Sequence, residues 1–332
     1  MHLKPIAALL LAPMLLLAQQ KKPKDQQAGY DRAARATILR TANVYATADD
    51  SAQPLTTVTP GHEVVIVERN SPWMRVFANT DTPDQRDDQP EFAEDAPTPL
   101  SGWVHDKGIV SPATPGGDAI LYGAAANFEA EAAEPHAPKG APQAAHLLYR
   151  RVFEYFPDSP LAPQAAFRSA DIRWQLDKLD NSTLPSAKEQ EAYLRPQLYE
   201  GDLKKVIKSY PNTKFAALAA YDLIDNKLCG DWQGLPKCPE METGLYTKYA
   251  QQFPSGPRSA EALYNAVYRQ GVAVTMYQVE EDRKRAEAAA KNAQALAKQM
   301  RADYPDSDFT PRAESIAYRI AQGISIYGND RD

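Results

Sequence analysis

The chain of 332 residues carries a formal net charge of -6, so it offers no general electrostatic attraction to a phosphate backbone, and a nucleic-acid role is not expected. Its length suffices for two domains, or one domain plus a repeat array, each with its own core. The 27 prolines fall largely in linkers and at helix starts, where they punctuate folded elements rather than mark disorder.

Residues 1–18 read as a secretory signal. Lys4 supplies the positive end, an apolar run from Ile6 to Leu17 is broken only by Pro13, and cleavage is expected after Ala18, although Leu16 departs from the small residue usual there. The run is far shorter than the roughly 20 apolar residues a spanning helix needs. No cysteine lies near the cleavage region to take a lipid. The expectation is a bacterial protein of the periplasm, or secreted, with no stable membrane anchor in the mature chain. Residues 19–35, with Lys21, Lys22 and Lys24, read as a flexible leader with nothing to bury.

Over residues 36–112 the pattern is one of short strands. Thr37-Ile38-Leu39, Thr57-Val58, the run from Glu63 to Glu68, the run from Trp73 to Phe77 and Gly102-Trp103-Val104-His105 are β-branched or aromatic, bounded by Pro, Gly, Asn and Asp. Five such strands predict a small β-barrel. Residues 79–99 form an acidic insert with Asp81, Asp84, Asp87, Asp88, Glu91, Glu94 and Asp95, read as a solvated loop.

The order Asn43-Val44-Tyr45, Pro60-Gly61-His62, Trp73-Met74-Arg75-Val76, Ser101-Gly102-Trp103-Val104 and Gly108-Ile109 resembles a bacterial SH3-type domain. It departs from that family in carrying Tyr45 where an arginine is usual, and in the acidic insert. The resemblance implies an aromatic-lined groove for cell-wall peptides or protein ligands, with Tyr45, Trp73 and Trp103 as candidates and Arg75 as a carboxylate partner through its planar fork. Core packing is nevertheless the expectation for both tryptophans, since so small a barrel needs its large aromatics inside. His105 reads as a surface residue rather than a ligand.

Residues 113–117 are a linker of turn formers, and beyond it the apolar period becomes 3.6 across residues 118–328. Leu121, Ala125, Phe128 and Ala132 pair with Ala145, Leu148, Val152 and Phe156. Ala166, Ala170 and Trp174 pair with Leu203, Val206, Ile207 and Tyr210, and a short helix is expected between Ser186 and Leu194. A helix through Ala217, Tyr221, Ile224 and Leu228 pairs with Tyr246, Tyr249, Ala250 and Phe253. Leu263, Ala266, Val267 and Val274 pair with Ala293, Ala297, Met300 and Tyr304, and a capping helix is expected over residues 311–327. Four tetrads punctuate this series: Phe156-Pro157-Asp158-Ser159, Tyr210-Pro211-Asn212-Thr213, Phe253-Pro254-Ser255-Gly256 and Tyr304-Pro305-Asp306-Ser307. Proline stops one helix, and the polar residues after it can accept from the first amides of the next. Pro157, Pro211, Pro254 and Pro305 therefore define the repeat boundaries.

Cys229 and Cys238, the only cysteines, flank a turn-rich loop and are expected to form a disulfide in an oxidising compartment. Two cysteines alone do not make a metal site, and no cofactor is expected.

The tetrads feeding alanine-rich helices resemble tetratricopeptide repeats, and among them the envelope tetratricopeptide proteins of bacteria such as the Tol-Pal coordinator and the barrel-assembly helical lipoprotein. The proline intervals of 54, 43 and 51 residues exceed the roughly 34 of that family's unit, so the excess belongs in insertions. The fold class expected is β plus α, an SH3-like barrel followed by a tetratricopeptide-like helical solenoid.

The sharpest enzymatic alternative is a cell-wall cysteine peptidase. Such an arrangement needs a histidine after its cysteine in the chain, yet His2, His62, His105, His136 and His146 all precede Cys229. The expectation is a non-enzymatic envelope adaptor that binds envelope proteins or peptides through the array and peptidoglycan or a protein through the SH3-like domain. Tyr221, Tyr246, Tyr249, Tyr264, Tyr268 and Tyr277 can line the array's surface, or fill space between hairpins, the stronger expectation for each. Alternatives are an accessory subunit of a cell-wall hydrolase or outer-membrane assembly complex, and a self-associating structural protein.

Overall fold

In the computed structural model, residues 34–78, 80–81 and 99–327 are described. The expected signal, nearly all of the expected leader, and all of the acidic insert but Thr80, Asp81 and Pro99 lie outside them.

The N-terminal part is an antiparallel sheet curled into a half-barrel. Its strands are β1 (Arg35–Ile38), β2 (Ala42–Tyr45), β3 (Pro54–Val58), β4 (Glu63–Asn70), β5 (Trp73–Ala78), β6 (Leu100–His105) and β7 (Ile109–Val110), in the order β3-β2-β6-β5-β4-β1-β7. Period-two alternation turns Ala36, Ile38, Val44, Val58, Val64, Met74, Val76, Ala78 and Val104 inward. This core is aliphatic and holds no tryptophan. Gly102 lets β6 approach β2: a Cβ there would stand 2.4 Å from Val44 Cγ1 and 2.8 Å from the Tyr45 carbonyl oxygen.

Nine α-helices follow among the described residues: α1 (Gly117–Ala132), α2 (Ala141–Tyr155), α3 (Ala162–Ser182), α4 (Gly201–Ser209), α5 (Lys214–Asp222), α6 (Lys237–Gln252), α7 (Ser259–Val279), α8 (Arg283–Asp303) and α9 (Phe309–Ala321). Their cores form in sequence along the array, one from α1 and α2, one centred on α3 to α5, and one spanning α5 to α9. On α8 the buried side is Ala286, Ala289, Ala293, Ala297 and Met300, four alanines that let the neighbouring helix come close and one methionine that fills the core at the far end.

The four tetrads end their helices in nearly one conformation. Phe156, Tyr210, Phe253 and Tyr304 have φ/ψ of -127/62, -129/53, -127/64 and -135/54 degrees. Each donates its amide to the carbonyl four residues back, and the proline after it can donate no further rung. The capping chemistry differs from the sequence expectation. Thr213 accepts from the Ala216 amide inside its helix at 3.2 Å, whereas Ser159 and Ser307 reach only the nearer amides of Leu161 and Phe309, at 3.2 and 3.3 Å. At other junctions hydroxyls also turn back to close the preceding helix, as where Thr310 Oγ1 donates to the Tyr304 carbonyl at 2.6 Å.

Three further boundaries shift. The helix expected through Leu228 stops at Asp222 and is followed by a 3₁₀ turn, Asp225–Lys227; the short helix expected near Ser186 is two such turns, Pro185–Lys188 and Ala192–Leu194. The capping helix ends at Ala321 rather than residue 327. There Gly323 takes a left-handed φ of 72°, while its amide bonds the Ile320 carbonyl at 3.1 Å and the Ile324 amide bonds that of Arg319 at 2.9 Å. This double bond pattern closes a helix at a glycine.

Cys229 and Cys238 are joined, with sulfurs 2.09 Å apart. Their loop is organised by Glu242, only 1% exposed. It accepts from the Cys229 amide at 2.9 Å, from Trp232 Nε1 at 3.1 Å and from Arg269 Nε at 2.6 Å. Among the described residues, no helix is long and apolar enough to cross a membrane.

Candidate ligand-binding face of the sheet

Because β5 alternates, burying Met74, Val76 and Ala78 turns Trp73, Arg75 and Phe77 to the opposite, outer face. β6 does the same, burying Gly102 and Val104 while Trp103 and His105 stay half-exposed. The register sets Trp73 opposite His105, Arg75 opposite Trp103, and Tyr45 of β2 opposite Trp103. The four candidate residues Tyr45, Trp73, Arg75 and Trp103 are thus neighbours on one face. Core packing of the tryptophans, expected from their size, is not what occurs: strand alternation gives the interior to Val44, Met74, Val76 and Val104 and leaves both indoles partly exposed on the other face.

Two residues not singled out for binding join them. His105 stacks on Trp73 with ring centroids 4.1 Å apart and planes at 25°, and Phe77 is 38% exposed. Tyr45 meets Trp73 edge-on at 5.6 Å, a favoured arrangement for rings with negative faces and positive edges. The His105 Nε2 lies 2.8 Å from Asp50 Oδ1, which fixes the ring over the indole. Arg75 is exposed and donates from Nε to Ser101 Oγ at 3.3 Å. The face therefore offers flat aromatic surface for stacking beside a guanidinium able to bind a carboxylate in two-point fashion.

The sheet is held against the array by a buried ionic cluster. Arg151 of α2, 3% exposed, donates from Nε to the Gly61 carbonyl at 3.1 Å and from Nη1 to Glu154 Oε2 at 2.6 Å. It also bonds Asp81 and lies 3.7 Å from Glu63 Oε2. Gly61 has φ of 85°, and a Cβ there would stand 2.5 Å from Leu147 Cβ, so only glycine permits this close seat. Burial raises the Glu63 carboxyl above its ordinary range against the pull of Arg151 and Arg35. Burial also opposes ionisation of Asp81 and Glu154, yet His62 and Arg151 lower the first and Arg151 and Arg150 lower the second. The last strand adds apolar continuity, since Val110 of β7 shares a core with Leu121, Ala125 and Leu148.

Along the array, Tyr246, Tyr249 and Tyr277 are buried at 6%, 4% and 1% exposure and fill space between helices. Tyr221, Tyr264 and Tyr268 are half-buried against the same core. Pro157, Pro211, Pro254 and Pro305 sit at four separate helix junctions and do not converge on a site. Asp222 stands out electrostatically: burial, then Asp171 and Asp225, push its carboxyl up to about 7, and its Oδ2 is buried without a hydrogen-bond partner. Among the described residues no group of three or more His, Cys, Asp or Glu is placed to hold a metal ion.

No family model matches the chain, and no curated protein matches it.

Proposed function

We propose that this chain is a non-enzymatic adaptor of the bacterial cell envelope, its SH3-like sheet holding a wall-derived or protein ligand and its tetratricopeptide-like solenoid holding a second, protein partner. The observation that carries the reading is the outer face itself, where Tyr45, Trp73, Trp103, Phe77 and His105 surround Arg75 although the core has no need of them. Large aromatics with a central arginine are the residue types that dominate recognition surfaces. The near-identity of the four helix-ending aromatics supports a repeat array, and stacked helix pairs present extended surfaces to peptides or partner helices. The disulfide favours an oxidising compartment, in keeping with export to the periplasm or beyond.

The test is co-sedimentation of the purified protein with peptidoglycan, together with capture of envelope proteins by the same material. Binding in either assay supports the adaptor reading, and loss of that binding on Trp103→Ala assigns it to the sheet. Inertness in both sinks it.

A further inference from the structure

Past the end of α9, residues 321–324 are exposed and Ser325, Ile326 and Tyr327 are half-buried. The chain turns at Gly323 and sets Ser325, Ile326 and Tyr327 in a groove between α7, α9 and the disulfide loop. The contacts are those of a bound peptide. Ile326 donates its amide to Thr275 Oγ1 at 3.0 Å, and Arg319 Nη2 donates to the Ser325 carbonyl. The Ile326 side chain seats over Gly271, where a Cβ would stand 3.2 Å from Ile326 Cγ1 and 3.1 Å from Ile316 Cγ2. Tyr327 lies against Trp232 with ring centroids 5.7 Å apart, and Trp232 is itself backed by Tyr268 at 6.4 Å.

We propose that this groove is a binding site for an extended segment of a partner protein, and that the chain's own tail occupies it as a tethered stand-in. The ligand class follows from the tail: a β-branched aliphatic residue seated over Gly271, a small residue before it whose carbonyl meets Arg319, and an aromatic after it on Trp232. Two main-chain hydrogen bonds fix the direction and register of such a segment, while the aliphatic seat and the aromatic platform select its side chains. The absence of a side chain at Gly271 admits the aliphatic residue. The disulfide holds Trp232 in place through Glu242, so the platform is set before any ligand arrives. A tail tethered this closely competes at an effective concentration on the order of millimolar, so a partner segment enters only when it is abundant or binds more tightly. The inference rests on the reading of the array as a partner-holding surface and is independent of the sheet face.

The test uses the full chain and a fluorescein-labelled peptide, Gln-Gly-Ile-Ser-Ile-Tyr-Gly, the sequence of residues 322–328. With Ile326→Asp, which expels the tail, the probe is expected to bind at least tenfold more tightly than to the unaltered chain, and a probe with aspartate in place of its second isoleucine is expected not to bind. Absence of probe binding to a folded Ile326→Asp chain, or equal binding of both probes, overturns the proposal. Should that variant not fold, amide exchange in the unaltered chain decides: saturating probe should accelerate exchange at Ile326 at least fivefold, and unchanged exchange refutes the site. A positive result leaves the sheet-face reading to stand or fall on peptidoglycan co-sedimentation, where the tail plays no part.

Discussion

Replacing Arg151 by methionine keeps most of the side chain's apolar length and removes only its charge and donors. Its side chain is 4% exposed and that of Glu63 is 3% exposed, so the variant leaves buried Glu63 with only the half-exposed Arg35 at 3.4 Å, while Asp81 and Glu154, a quarter exposed, keep His62 and Arg150. Removing one partner of a buried ionic cluster costs about 3–5 kcal/mol, or roughly 10 °C in Tm for a cooperative unit of this size. The pH dependence identifies the cause. In the native chain Asp81 and Glu154, held below their ordinary values, contribute stability that is present above those values and lost as pH falls. Glu63, raised by burial, contributes in the opposite sense and loses its contribution as pH rises. Without Arg151 all three carboxyls rise, so the penalty should be complete near pH 8 and shrink toward pH 4.5 as they take protons. Urea titrations at both pH values, with Glu63→Gln added to the variant, measure this. A loss under about 1 kcal/mol, or an equal loss at both pH values with no recovery from the second substitution, would refute the view that this cluster latches sheet to array.

Three further outcomes follow from single features. Cys229→Ser with Cys238→Ser opens a loop of sequence separation 9 and should cost about 2–3 kcal/mol on chain-entropy grounds, read as a lower urea midpoint that reductant does not lower further. Asp222, raised to about 7 from 3.8, takes its proton more readily folded than unfolded, so its contribution is present below pH 3.8 and lost as pH rises through 7, by at most about 4 kcal/mol. Asp222→Asn should therefore stabilise the protein at pH 8 and leave it little changed at pH 4, measured by paired melts. Pro211→Ala lets α4 run past Tyr210 and removes a constraint on the unfolded chain, an expected loss of about 1 kcal/mol; an unchanged melting curve would count against the tetrads as unit boundaries.

The helical half was legible because its signals are local. A 3.6 period and four aromatic-proline junctions depend on neighbours in sequence, and each junction ends its helix in the same way. The errors lay where local chemistry has competing answers. Thr213 caps its helix, while Ser159 and Ser307 contact amides two residues on, at 3.2 and 3.3 Å, because loop geometry decides where a hydroxyl reaches. The last helix stops early because Gly323 is free to turn left-handed although the apolar period continues to Ile324 and beyond.

In the sheet, the alternation of Trp73-Met74-Arg75-Val76-Phe77 already separates two faces, and period two outranked size: the set containing Met74 and Val76 went inside. Reading the tryptophans by volume put them in the core, whereas reading them with Arg75 as the same-face residue puts them outside. His105 belongs to that face through its register opposite Trp73, a pairing 32 positions apart. The Arg151 cluster joins residues separated by 70 and 90 positions, and no spacing in the sequence marks such a meeting.

On the proposed reading, the outer face of the sheet is a recognition surface. A photo-crosslinking residue in place of Phe77, compared with one in place of exposed Tyr318 on α9, tests it directly in cells that produce the protein. A discrete crosslinked partner or wall fragment is expected at Phe77, lost when Trp103→Ala is added, and none at Tyr318 that shares this loss. No product at Phe77, or one indifferent to Trp103→Ala, would contradict it.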